Sequence, residues 1–376
     1  MNKKNSVKIF SFILIAIICA LLITYKFGRI KKIFKSIGMK SNKLTKQEIK
    51  NKLASLFIFN IHGKKLGKIA KRFIEKYKPG GIIIMSPNVK DVKTLKQLIN
   101  QIRKVYNNKS DPLMPLIAID QEGGRVKRIK KGIPQFPSAM EAANKGEEYV
   151  YNLAQKTNKA LFDIGININF APVADVLINK RNKVIGNRAF SSDETIAAKM
   201  VKSYLKGAIK TGIITCAKHF PGHGSVKSDS HKTLPVDKSK INELKLKPFI
   251  SAIENHVHMI MIAHILFPEL DNVPSTFSKK IIGMLRNKYN FHGIIISDDL
   301  NMGALKKNYN KEQVIINALK AGVDMFIHTS IKYGTQIKLL NKTADLIIKD
   351  VNALIALDRA VKNINKIKDR VRKNFY

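Results

Sequence analysis

The feature that most constrains this chain is a repeated pairing. Short aliphatic runs alternate with longer helical patterns from residue 53 onward, and several of the runs end on a polar residue able to do chemistry. Eight runs read as strands: Ser55 to Ile61, Gly81 to Met85, Leu116 to Asp120, Ile168 to Pro172, Ile213 to His219, Met259 to His264, Gly293 to Asp298 and Asp324 to His328. Segments such as GIIIM and GIIIS are apolar throughout, as strands covered on both faces must be, and strands separated by helices make βα units with a parallel sheet. The expectation is α/β, a (β/α)8 TIM-type barrel. In that architecture the carboxyl ends of the strands share one rim, where active sites are built. Asp120, Asp175, His219, His264 and Asp298 all fall at such ends. Any one of them could simply cap the following helix, but five together point to a site.

The barrel does not account for the first residues. Ile9 to Tyr25 is an apolar run of 17 residues behind Lys3, Lys4 and Lys8, which fits a retained signal anchor near the lower length limit of a membrane span. No small-residue cleavage pattern follows it, and Ile18 before Cys19 does not suit a lipoprotein signal. Residues 1–47 are therefore expected to be a transmembrane anchor helix and basic linker, and 48–376 a single catalytic domain with C-terminal helices. Lysines flank the run on both sides, so the positive-inside rule leaves orientation open.

Composition narrows the partners. The formal charge is +41, yet Lys is scattered rather than gathered into arms, and no helix-turn-helix, zinc or RNA-binding signature accompanies it. No nucleic-acid partner is expected. The two cysteines, Cys19 and Cys216, form no disulfide or metal pattern. His219 and His223 stand four apart, but Pro221, Gly222 and Gly224 argue against a helix presenting both, so neither metal nor cofactor is expected.

The motifs are ordered: AIDQEGGRVKR at Ala118 to Arg128, IGNRAF at Ile185 to Phe190, AKHFPGHG at Ala217 to Gly224, DSH at 229 to 231, and GIIISDDLNM at Gly293 to Met302. In this order and spacing, from about residue 50 to 330, the chain resembles glycoside hydrolase family 3, and within it the single-domain bacterial β-N-acetylhexosaminidases (NagZ-like). That resemblance implies a retaining glycosidase acting on terminal nonreducing β-linked N-acetylglucosamine of peptidoglycan fragments (muropeptides). Asp298 matches the family's nucleophile; its neighbour Asp299 does not. The acid/base falls on His231, an unusual choice where a second carboxyl is the rule, with Asp229 orienting its ring much as an acid orients the histidine of a Ser-His-Asp triad. The Gly- and Ser-rich segment carrying this pair suggests a loop that closes over substrate.

Asp120, Arg128, Arg188, Lys218 and His219 match the positions that grip the terminal sugar, and His264 matches a pocket-lining position. Glu122 and Arg125 are expected to form a supporting ion pair at the rim, whereas His256 and His258 have no match and read as surface or packing residues. The carbohydrate is the expected partner of a monomer tethered at the bacterial envelope with its catalytic domain extracytoplasmic. The competing readings are a β-glucosidase or glycoside phosphorylase of the same family, and a membrane-tethered sugar-binding protein without turnover.

Overall fold

The computed structural model describes residues 44–375 apart from 109, 110, 113, 114, 228, 240–242 and 331. The anchor expected over Ile9 to Tyr25 lies outside the described residues. Among those described, no helix is long and apolar enough to cross a membrane.

Eight parallel strands close into a barrel: β1 Phe57–Asn60, β2 Gly81–Ile84, β3 Leu116–Ile119, β4 Ile168–Asn169, β5 Ile214–Phe220, β6 Met259–Ile262, β7 Ile294–Asp299 and β8 Met325–His328. Each neighbours the next, and β8 returns to β1 with Phe57 opposite Phe326 and Phe59 opposite His328. The eight runs read from sequence are these eight strands. Their ends differ. The regular part of β4 stops at Asn169, although main-chain bonds to its neighbours go on, from Phe170 N to the Ile119 carbonyl at 2.9 Å and from Lys218 N to the Pro172 carbonyl at 3.2 Å, while β5 continues one residue beyond His219. The short β4 is compensated by side chains: Asn167 Oδ1 accepts from Ile117 N at 2.7 Å, and Asn169 Oδ1 from Gln121 N at 3.1 Å.

The longer helices between and after the strands are α1 Lys46–Ala54, α2 Lys68–Tyr77, α3 Val92–Tyr106, α4 Glu147–Ile164, α5 Glu194–Ile209, α6 Glu243–Glu254, α7 Lys311–Ala321, α8 Tyr333–Ile347 and α9 Val351–Phe375. Their apolar faces cover the barrel; α3 buries Leu95, Leu98, Ile99 and Ile102, spaced three and four apart as one helical face requires. At the foot of β8 the wholly buried Asp324 accepts from Arg286 at 2.7 Å, from Ile295 N at 3.0 Å and from Asn363 of α9 at 2.9 Å. A buried carboxylate needs such partners, and here they fasten α9 to the barrel.

Candidate active site

Where β3 ends, the chain makes a turn that only glycine permits. Gly123 and Gly124 have φ of 106° and 50°, and a Cβ on Gly123 would lie 2.4 Å from the Pro137 carbonyl. The turn sets Asp120 and Glu122 facing one cleft of about 390 Å³, which is also lined by Arg128, Arg188, Lys218, His219, His231 and Asp298. These side chains come from the carboxyl ends of four strands, β3, β4, β5 and β7, or the loops that follow them.

Five of them form a charge cluster. Lys218 Nζ donates to Asp120 Oδ1 at 2.9 Å and to Glu122 Oε1 at 2.6 Å. Arg128 donates to Asp120 Oδ2 at 3.1 Å, and Arg188 grips Glu122 with two bonds of 2.7 and 2.8 Å. Burial alone would push the Glu122 carboxyl up, but Arg188 and Lys218 outweigh it and hold it well below the usual carboxylate range. Asp120 is lowered in the same way: Lys218 and Arg128 overcome its burial. Lys218, raised by those two carboxylates against its burial, stays an ammonium.

This geometry corrects one expectation. Glu122 pairs with Arg188 and Lys218, not with Arg125, whose guanidinium turns to the carbonyls of Lys183, Val184 and Ile185 at 2.8, 2.6 and 3.1 Å. Arg188 lines the cleft while donating through Nε and Nη2 to Glu122 and through Nη1 to the Val184 carbonyl at 3.0 Å, which leaves part of its guanidinium for a ligand.

His264 is a second correction. Expected on the pocket wall, it is wholly buried behind it, with Nδ1 2.6 Å from Thr276 Oγ1 and Nε2 3.1 Å from the Asp299 carbonyl. Both ring nitrogens are occupied, so it supports the end of β7 from beneath.

The adjacent aspartates at the end of β7 point in different directions. Asp299 turns to β8: its carboxylate accepts from the Thr329 hydroxyl, from Thr329 N at 3.0 Å and from Asn301 N at 3.0 Å, and burial raises its pKa. Asp298 faces the cleft. One oxygen accepts from Asp299 N at 2.7 Å, and the other has no donor among the described residues. Burial pushes Asp298 upward, yet the fields of His219 and His264 and the Asp299 N–H leave it below the usual range. It is an ionised carboxylate with a free oxygen in a concave site.

His219 is oriented by Asp175, a buried residue that Sequence analysis placed on the rim without a partner. Asp175 Oδ2 lies 2.7 Å from His219 Nδ1, and its other oxygen accepts from His223 N at 2.6 Å. The bond makes Nδ1 a donor to Asp175 and leaves Nε2 3.5 Å from Arg188. His223 is a support as well, its Nε2 2.9 Å from the hydroxyl of buried Ser230. Burial lowers its pKa, which keeps the ring neutral.

Across the cleft, His231 Nδ1 and Asp229 Oδ1 are 2.9 Å apart, and the same oxygen accepts from His231 N at 2.9 Å. The His231 side chain is 66% exposed, so Nε2 is open to solvent and to a ligand. Asp229, lifted by partial burial but lowered further by bonds from His231, remains ionised. Gly303 N and Ala304 N donate to the carbonyls of His231 and Ser230, both at 3.0 Å, which seats this loop on the turn following Asp298.

Asp175, Ser230 and Thr329 act through other residues; Asp175 was marked by its place after a strand and Ser230 by lying inside the DSH motif, whereas Thr329 carried no signal beyond following the last strand. Among the described residues no group of His, Cys, Asp and Glu is arranged to hold a metal ion.

Residues 48–367 match the family described as glycosyl hydrolase family 3 N terminal domain. The β-hexosaminidase of Idiomarina loihiensis is 35% identical over 284 residues, covering 73% of this chain and 83% of that protein. Among solved structures, a glycoside hydrolase family 3 β-N-acetylglucosaminidase from a Paenibacillus species superposes with a TM-score of 0.81 at 30% identity; the match covers 88% of this chain but only 63% of that one. NagZ from Neisseria gonorrhoeae, solved with N-trifluoroacetyl-D-glucosamine, gives 0.68 at 28% identity over 77% of this chain and 84% of its own.

Proposed function

The chain belongs to glycosyl hydrolase family 3, and from that premise we propose that this β-N-acetylhexosaminidase is a retaining enzyme releasing terminal nonreducing β-linked N-acetylglucosamine from muropeptides. The observation that carries the reading is the pairing of an ionised, half-free Asp298 with the solvent-open His231–Asp229 pair across one cleft.

In the first step Asp298 attacks the anomeric carbon while His231, protonated, gives the Nε2 proton to the glycosidic oxygen. The carbon–oxygen bond to the leaving sugar breaks and a glycosyl ester on Asp298 forms. In the second, water attacks the same carbon, its proton passes to Nε2, and the ester bond breaks to restore the carboxylate. Two inversions retain configuration. Asp229 holds Nδ1–H and stabilises the imidazolium, so a histidine serves where a carboxyl is common. Asp120, Arg128, Arg188 and Lys218 hold the sugar's hydroxyls through charge-assisted bonds and His219 through Nε2, with Glu122 fixing Lys218 in place. The carbohydrate domain spans 48–376, and the apolar run at 9–25 tethers it to the bacterial envelope with its catalytic face extracytoplasmic.

The test is hydrolysis of a chromogenic N-acetyl-β-glucosaminide by the full chain, with proton NMR of the first-formed anomer. The β anomer from wild type and no turnover by Asp298→Ala are the expected results; an α product would sink the covalent mechanism. An Asp298→Ala variant that still binds N-acetylglucosamine separates lost chemistry from lost fold.

A further inference from the structure

A second cavity, of about 380 Å³, lies at the other end of the barrel. Its walls are the segments entering β6 and β7, residues 256–258 and 290–293, together with one face of α9. The catalytic residues sit instead where strands leave, so the two cavities are separated by the barrel's length. The volume falls within the range of about 300–1,000 Å³ usual for small organic ligands.

The lining is electropositive. No Asp or Glu contributes to it. Lys366 and Arg370, four apart on α9 and therefore on one helical face, are exposed and have no carboxylate partner among the described residues. Two imidazoles, His256 and His292, stand on the same wall. Two permanent cations repel a metal ion and attract an anion.

His258 supplies a directed donor. It is only 7% exposed, and its Nδ1 accepts from Thr215 N at 3.1 Å. A backbone N–H can only donate, so the neutral ring must carry its hydrogen on Nε2. Burial, aided by Arg370, pushes the pKa down to about 3, which keeps the ring neutral. That Nε2–H has no protein acceptor among the described residues, and the ring lines the cavity. Its hydrogen is therefore open to whatever occupies the cavity, water or ligand.

Backbone conformation marks the same place. Three non-glycine residues among those described have positive φ, and two of them, His256 at 59° and Asn290 at 50°, line this cavity. His256 ends α6, where Val257 N donates to Ala252 O at 3.0 Å, a turn that glycine usually fills. An imidazole there costs roughly 1 kcal/mol over glycine, and strained residues of this kind gather at ligand sites.

We propose that this foot cavity binds a small phosphorylated sugar, its phosphate held by Arg370, Lys366 and the His258 Nε2–H and its carbon skeleton laid against Phe291 and Ile367. The site is independent of the hydrolytic centre.

The probe is glucose 6-phosphate, titrated calorimetrically into the full chain at physiological ionic strength. The expected result is saturable one-to-one binding, weakened roughly tenfold or more in a Lys366→Gln/Arg370→Gln double variant, whose hydrolysis of the chromogenic substrate keeps its kcat. Both substituted side chains are exposed, so the variant tests binding without disturbing the core. The proposal is overturned by absent binding, by equal binding to the double variant, or by simple competition with the hydrolysed substrate, which would put the phosphate in the catalytic cleft. Equal affinity for inorganic phosphate would overturn the sugar-phosphate class.

Discussion

The backbone N–H of Gly303 donates to the carbonyl of His231 at 3.0 Å, and this bond ties the proposed proton donor to the turn that follows the proposed nucleophile. In the proposed mechanism substrate lies between these two groups, and the main chain sets their separation. A Cβ at position 303 would fall 2.5 Å from that same carbonyl and 2.6 Å from the Lys232 carbonyl. Gly303→Ala therefore pushes the loop off its seat. We expect kcat to fall by roughly 10²-fold, the usual penalty of about 1 Å of misplacement, with affinity for free N-acetylglucosamine retained. Steady-state kinetics beside equilibrium binding of the sugar makes the comparison, and an unchanged kcat would refute the seating role.

Asp229→Asn keeps the shape beside His231 but removes the negative charge opposite Nδ1. We predict a fall in kcat of roughly 10- to 10²-fold, inside the general acid–base range, with KM little changed. The loss should grow as the leaving group becomes a poorer one, because proton donation then matters more. A uniform loss across a leaving-group series would assign Asp229 a merely structural part.

The Asp120, Glu122 and Lys218 cluster gives a pH dependence whose sign is fixed. Both carboxylates have folded-state pKa values below the ordinary 3.8 of Asp and 4.5 of Glu, so the unfolded chain binds more protons in the acid range. Their contribution to stability is fully present above those values and is lost as pH falls through the lower folded values. Lys218→Met removes the shared cation and is expected to cost roughly 3 kcal/mol at neutral pH. Near pH 3, where the unfolded carboxylates are already protonated, the difference between variant and wild type should shrink. Urea unfolding at both pH values checks it, and a constant difference would contradict the assignment.

His264→Ala tests the correction made at β7. The histidine bonds Thr276 and the Asp299 carbonyl from a wholly buried position. Its loss should destabilise the fold by roughly 2 kcal/mol through unpaired buried groups and lost packing, while KM for a short glycoside stays near the wild-type value. A large rise in KM with unchanged stability would return His264 to the sugar-binding wall.

The barrel was readable from the chain because each strand is covered on both faces, and such strands must be written as unbroken apolar runs. GIII of β2 and MIMI of β6 carry no residue a solvent-facing position would tolerate. The motif residues could be placed at the rim for the same reason, since they follow those runs directly. Pairings across the cleft were not readable. Glu122 finds Arg188, 66 residues away, and passes over nearby Arg125, because the Gly123–Gly124 turn sends Arg125 toward the carbonyls of the 183–185 segment. Nothing in residue type distinguishes His264 from His219; only the depth of each ring does. The parting of Asp298 from Asp299 follows the alternation of side chains along a strand, and the resemblance had already chosen the first. The proposed anchor at 9–25 rests on sequence alone.

The seam of the barrel joins its first strand to its last, with Phe57 beside Phe326. During synthesis, β1 emerges from the ribosome long before the strand that completes it. Until β8 follows, one edge of β1 is an open row of N–H and C=O groups, the kind of edge that other chains can pair with. A nascent chain stalled before Met325 should be cleaved readily by protease, whereas one extended through α9 should resist. For this protein closure waits on the synthesis of β8, and early strands must be kept from other partners until it occurs.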